Sequence, residues 1–421
     1  MATKCKLSLK HSLKQTRLRS RKLSSKHPHL TKINHSIDEN HPLALANAQH
    51  LELNQERGAT RSFGKKFMIR RKRLPFLFLA FASMIIGLLA GLNRIGWNIP
   101  FNSVVPEHGA IMVGGFLGTL ITLEKIITLK KSFLYTIPIA SGLSVVSFLL
   151  RMPQSGYILL IAASTGLCVV FFMYLITNPG LIYAVMLLGA ICWLIGNILL
   201  MTSNFYPMSL PWWMAFVLCI ISSERIELMK FLPVTEGNKR FLAILLALFV
   251  VACVLSFHGP GSVITAGVLS AISIWLLKFD LIGVTIKKKG LTRFVAVALL
   301  TGYFALLLTS LFLLQFNVQP EYYDIIVHLF FIGFVFSMIF AHGPIILPGV
   351  LGISAKPYSR LLYLWLGLLH VSLIMRVSAN ILFLIEVKML SGILTGAAIV
   401  GYFMTVGYLV ITQGKQDGKV S

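Results

Sequence analysis

The chain has 421 residues, of which 56% are hydrophobic and only 12% charged, with a mean hydropathy of +0.81. A soluble globular domain carries about twice that share of charge, so the composition excludes that class and indicates a membrane protein. The formal net charge of +24 would suggest a nucleic-acid partner. However, eighteen basic residues against four acids fall within residues 1–73, with few aromatics and no recognisable binding module. A tail lying near anionic lipid is the simpler reading, and no nucleic acid is expected.

Residues 1–67 are polar, rich in Lys, Arg, Ser and His, and lack hydrophobic periodicity. They are read as a basic disordered tail or a mis-assigned start. Met68 precedes Ile-Arg-Arg-Lys-Arg-Leu-Pro and then the first apolar run, as polytopic inner-membrane proteins commonly begin. The rival reading is a targeting presequence, because residues 1–37 hold no acid and many Arg and Ser. Six histidines lie in this tail, His27 and His29 among them, at spacings too loose for a metal site.

From about Pro75 to Thr412, apolar runs recur at the length of about twenty residues that a helix needs to cross a bilayer. Spans are predicted over 75–96, 104–126, 134–150, 156–177, 180–201, 210–229, 240–257, 262–284, 293–315, 322–343, 359–384 and 390–412. No alternating ten-residue pattern suggests a barrel. The expected fold is all-α, a polytopic helical membrane bundle of about twelve transmembrane helices, with residues 68–421 as one membrane domain. Basic residues gather in alternate loops, at Lys125 to Lys131, Arg225 to Arg240, Lys287 to Arg293 and Lys356 to Arg360. By the positive-inside rule both termini are cytoplasmic, and a bacterial inner (plasma) membrane is the expected location. Cys168, Cys192, Cys219 and Cys253 fall in spans without CxxC spacing and are read as small buried residues.

The second span begins Pro106-Glu107-His108 and continues Gly-Ala-Ile-Met-Val-Gly-Gly-Phe-Leu-Gly-Thr. A histidine in hydrocarbon is costly unless paired or bound to a metal, so His108 is a functional candidate. On an α-helical wheel Gly115, Thr119 and Thr122 fall beneath it. Gly114 and Gly118 form a GxxxG pair that would admit a neighbouring helix or a flat macrocycle. Plain GxxxG packing beside an interfacial histidine is the simpler alternative. The sixth span ends Ser-Ser-Glu224-Arg225-Ile-Glu227, with Glu224 and Glu227 on one face. Snorkelling to the interface accounts for these charges, and with Glu124 they could instead form a proton entry or anion gate.

The tenth span carries His328 near its outer start and His342 near its inner end, roughly 21 Å apart along the axis, too far to share one metal. Pro344 follows His342-Gly343, and the helix is expected to break or kink there. His258 lies in an external turn, and His370 in mid-span eleven could pair with Arg376 or Tyr363 or ligate a second metal centre. Arg376 and Glu386 read as anchors. Glu107-His108 precedes Gly115-Phe116 and His328 precedes Gly333-Phe334, but the offsets of seven and five residues do not make a repeat.

A histidine at the outer end of span two and another on span ten, in a twelve-span bundle, resembles subunit I of the haem-copper oxidases. There those two helices supply the axial ligands of the low-spin haem, which the resemblance carries to His108 and His328. The oxidase copper-site pattern is absent, with no His-x-x-x-Tyr on span six, no His-His on span seven and no His-x-His on span ten. An oxygen- or nitric-oxide-reducing centre is therefore not implied. The histidine-headed stretches at His108 and from His328 to His342-Gly-Pro are also similar in style to the NnrS family, twelve-span bacterial proteins associated with haem, copper and nitric oxide stress. This resemblance implies a haem, with copper as a second cofactor, and a redox partner. The alternative is a secondary transporter of a small solute or ion with its inner gate at His342 and Glu224. No Walker loop, dinucleotide fingerprint or nucleophile elbow occurs, so hydrolase chemistry has no visible site.

Overall fold

Helices that are apolar around most of their circumference must put their few polar groups inward when lipid lies outside, and the chain folds accordingly. The structure is a computed structural model that describes residues 73–100, 102–129, 131–229, 234–255, 260–316, 318–353 and 356–417. The tail reading of residues 1–67 and the turn at His258 lie outside the described residues.

Twelve helices among the described residues are long and apolar enough to cross a membrane. They are α1 (Leu74–Arg94), α2 (His108–Ile127), α3 (Ser132–Leu149), α4 (Pro153–Thr177), α5 (Leu181–Ser203) and α6 (Tyr206–Leu228). The second half comprises α7 (Glu236–Val254), α8 (Gly261–Phe279), α9 (Leu291–Leu314), α10 (Tyr323–Leu351), α11 (Leu361–Ile381) and α12 (Ile385–Gln413). No strand occurs among the described residues. The protein is an all-α, multi-pass integral membrane protein.

Large apolar side chains such as Phe78, Ile158 and Ile374 point outward, while Ser141, Ser164, Asn197, Ser273 and Thr309 are buried. Some hydroxyls are satisfied on their own helices, as Ser164 is on the Leu160 carbonyl at 2.8 Å and Ser223 on Ile220 at 2.7 Å, while Ser141 and Ser273 donate across to the Gly114 and Tyr303 carbonyls, both at 2.8 Å. Sequence neighbours pack as antiparallel pairs, and α12 returns to α1. The most enclosed helices are α2, α6 and α10. These three also carry most of the chemically loaded residues: His108, Glu124, Glu224, Arg225, His328 and His342. All four described cysteines are free thiols, three of them buried.

Two local features depart from regular helix. Ile111–Gly118 in α2 and Leu329–Phe336 in α10 are π-helical, wound by i→i+5 bonds and each beginning within three residues of His108 or His328. The two histidine-headed helices thus share a local geometry that their unequal residue offsets conceal.

The expected break after His342 does not occur. The helix continues through Pro344 and Pro348 to Leu351. Pro344 leaves the Phe340 carbonyl, four residues earlier, without its donor. The Tyr402 hydroxyl of α12 donates to that oxygen at 2.6 Å, and the Tyr402 ring stacks on Phe340 at 3.8 Å. Gly343 permits the approach, since a Cβ there would lie 2.6 Å from the Tyr402 oxygen. The helix ends instead at Gly352, whose φ of 74° is left-handed and closes a Schellman-type cap from Ile353 N–H to the Pro348 carbonyl. Helix α6 likewise starts at Tyr206, earlier than expected, because Pro207 sits in the first turn, where no donor is needed.

Candidate functional site

Residues on α1, α2, α6, α10, α11 and α12 enclose a cavity of about 660 Å³ at the end of the bundle where α2 and α10 begin. Both His108 and His328 line it. Each imidazole is held by its Nδ1 against a backbone carbonyl, His108 to Gly87 of α1 and His328 to Asp324 of its own helix, both at 2.7 Å. A carbonyl oxygen only accepts, so Nδ1 carries the proton and the Nε2 lone pair is left unprotonated in both rings. Neither Nε2 meets a hydrogen-bond partner among the described residues. Each bond fixes its ring in one tautomer and orientation.

The sequence around each ring explains its place. Gly87 and Gly91 of α1 lie four apart on the face turned to α2. A Cβ at Gly91 would sit 2.8 Å from Cε1 of His108, so only glycine leaves room for the ring. On α12, Gly392 and Gly396 line the cavity, and nothing lies within 4 Å of where a Cβ of Gly396 would be. Tyr206, Trp213, Phe331 and Phe336 supply aromatic wall.

Charge gathers at the same end. Arg94, Asp324, Arg376 and Lys388 all line the cavity. Asp324 accepts from Arg376 through both oxygens, at 3.0 and 2.9 Å, and from Asn380 at 2.8 Å. Lys388 lies 3.5 Å from the same carboxylate. Three cations against one acid leave the rim positive. Glu107, beside His108, is buried, and its Oε2 accepts the hydroxyls of Tyr157 and Tyr206, each at 2.7 Å. That pairing offsets the cost of a buried carboxylate.

Below His108 the lining residues are Met112, Val113 and Leu117, not Gly115, Thr119 and Thr122. The π-helical turn carries more residues than an α-turn and rotates the face away from the α-helical wheel. Gly114 and Gly118 do packing work against other helices: a Cβ would meet Leu160 at 2.5 Å from the first and Trp193 at 2.5 Å from the second.

His342 stands near the opposite end of α10, engaged by Arg225 at Nε2, with Nδ1 donating to Met338 at 2.6 Å. Arg225 is 3% exposed, so it does not snorkel. Glu224 and Glu124 are joined through Lys125, at 2.6 and 3.1 Å. Glu227, expected on their face, is exposed instead. His370 meets Ser337 at 3.1 Å, not Arg376 or Tyr363. Among the described residues no three His, Cys, Asp or Glu side chains gather as a metal site.

Sequence reasoning missed Asp324, Lys388, Arg94, Lys125 and the true partner of Arg376. One signal was available: Asp324 and His328 are four apart, neighbours on any helix.

A family model described as Domain of unknown function (DUF8744) matches residues 73–411. The chain belongs to the DUF8744 family. The matched region covers α1 through α11 and nearly all of α12, so every cavity residue of this DUF8744 protein lies within it. No curated protein and no solved structure matches the chain.

Proposed function

We propose that this membrane protein binds one haem between α2 and α10, with His108 and His328 as axial ligands, and serves as a redox or stress-sensing component of its membrane. The observation that carries this reading is the pair of imidazoles on one cavity, both with Nδ1 tied to a carbonyl and Nε2 without a hydrogen-bond partner among the described residues. The donor set fits: two neutral imidazoles suit iron in a haem, whose axial positions they fill. The volume falls within the range of about 300–1,000 Å³ seen for small-molecule and cofactor sites. When bound through two histidines, a haem supplies one-electron transfer without an open coordination position.

The chain's own residues divide the remaining work. Gly396 leaves open wall for a planar ligand, while Gly91 makes room for the His108 ring and Gly392 for the Ile95 side chain. Met112, Leu117, Phe331 and Phe336 exclude water, and the net positive rim suits a ligand with acidic groups. The resemblance to NnrS and oxidase subunit I, drawn on the same two histidines, agrees with this reading and suggests a role near nitric oxide or metal stress. Copper has no comparable donor set among the described residues.

A second reading, transport of a small solute or ion, draws on the Glu124/Lys125/Glu224 and Arg225/His342 groups at the far end of the bundle. It loses the broken helix that would have served as a gate, because α10 is continuous there. Visible absorption of the purified protein, with His108→Ala and His328→Ala beside it, tests the first reading. Substrate-dependent flux in vesicles tests the second.

A further inference from the structure

Asp324 meets His328 twice. Its backbone oxygen accepts the Nδ1 proton at 2.7 Å, and its carboxylate Oδ1 lies 3.4 Å from the same nitrogen. The carboxylate is meanwhile held by the Arg376 guanidinium at 3.0 and 2.9 Å, by Asn380 at 2.8 Å and by Lys388 at 3.5 Å. Lys388 also donates to Asn380 at 2.7 Å, which closes the group. Among the described residues His108 has no such neighbour on Nδ1: it meets the Gly87 carbonyl, and the adjacent Glu107 is occupied by Tyr157 and Tyr206. The two histidines are therefore backed unequally.

A carboxylate that accepts from the far nitrogen of a ligating imidazole feeds electron density into the ring and makes it a stronger donor. A carboxylate already engaged by a guanidinium has less to give, because the bidentate pair takes both oxygens. The distances describe the restrained arrangement: the carbonyl holds the shorter bond to Nδ1 and Arg376 holds the carboxylate.

Resting on the haem reading, we propose that Asp324 is a positioning residue that sets the donor strength of His328, with Arg376 limiting how much carboxylate charge reaches the ring. The two axial ligands are then of unequal strength, and the redox potential is set from the α10 side. Arg376, on α11, and Lys388, on α12, make that setting respond to how these two helices sit against α10.

A purely structural role is also open to Asp324, since it neutralises a buried arginine. The two roles separate in ferric electron paramagnetic resonance, whose g-values report axial donor strength, combined with potentiometric titration of the full chain in detergent. Arg376→Gln should contract the g-spread and lower the midpoint potential, because Oδ1, released by the guanidinium while Asn380 and Lys388 keep Oδ2, turns to Nδ1. Asp324→Asn should widen the g-spread and raise the potential. In the double variant Asp324→Asn/Arg376→Gln, which removes both charges of the bidentate pair, the g-values should match those of Asp324→Asn, because the arginine acts only through the carboxylate.

If Asp324→Asn alone fails to insert, the comparison of Arg376→Gln with the double variant decides. A double variant whose g-spread equals that of Arg376→Gln, or unchanged g-values throughout, overturns the proposal while leaving bound haem intact. A wild-type protein without a haem spectrum overturns the haem reading itself, and this inference with it.

Discussion

Tyr402 of α12 gives its hydroxyl proton to the Phe340 carbonyl of α10 at 2.6 Å, the oxygen that Pro344 deprives of its helical donor. One side chain thus satisfies the carbonyl that the proline orphans within a continuous helix. Tyr402→Phe removes the donor and little else. It should destabilise the protein by about 1–2 kcal/mol, the cost of a buried carbonyl left unpaired. Thermal unfolding in detergent reads this directly, and an unchanged midpoint would mean that the proline is accommodated without Tyr402.

Gly91 is a steric test of the site. Its absent side chain would lie 2.8 Å from the His108 ring. Gly91→Val should therefore displace the imidazole and remove most haem absorption, though His108 itself is untouched. Gly267 of α8 is the matching control, because nothing lies within 4 Å of its position, and Gly267→Ala should leave the spectrum unchanged. Equal spectra for the two variants would place His108 outside the haem site.

Lys125 links Glu224 and Glu124 at the other end of the bundle, at 2.6 and 3.1 Å. Lys125→Met leaves two carboxylates facing each other without their cation. Breaking such a pair in the interior costs about 3–5 kcal/mol, and the partial exposure of these side chains lowers the expectation to roughly 2 kcal/mol. Lys125→Arg should restore most of it. Because this group lies away from the cavity, the haem spectrum of the folded fraction should be unaltered. A lost spectrum would couple the two ends of the bundle.

Much of the fold is readable from the sequence, because a span announces itself as about twenty apolar residues whatever its partners. His108 and His328 stand out for a similar local reason, since a histidine in such a run is rare and costly. What the sequence hides is non-local or depends on winding. The face beneath His108 shifts to Met112 and Leu117 because of a π-helical stretch that no hydropathy pattern marks. The carbonyl that Pro344 orphans in α10 finds its donor in Tyr402, a residue from another helix. Arg376 reads as an anchor at a helix end, yet it is 7% exposed and locked to Asp324, a pairing between α11 and α10 visible only once the helices pack.

The axial assignment makes the most specific demand on the two histidines. His108→Ala and His328→Ala should each abolish low-spin haem absorption while the protein still inserts and extracts as wild type does. Removing either ring leaves a single imidazole, so a partial high-spin signal is the most that should survive. Full retention in either variant would exclude that residue as a ligand.

The measurement that tests the central claim most directly is a reduced-minus-oxidised visible spectrum of the purified protein, with iron determined on the same sample. The account predicts a sharp low-spin haem band with iron near one equivalent per chain, about what a single bis-histidine site holds. A featureless spectrum from a folded sample without iron would contradict it, and the cavity between His108 and His328 would then need a different ligand.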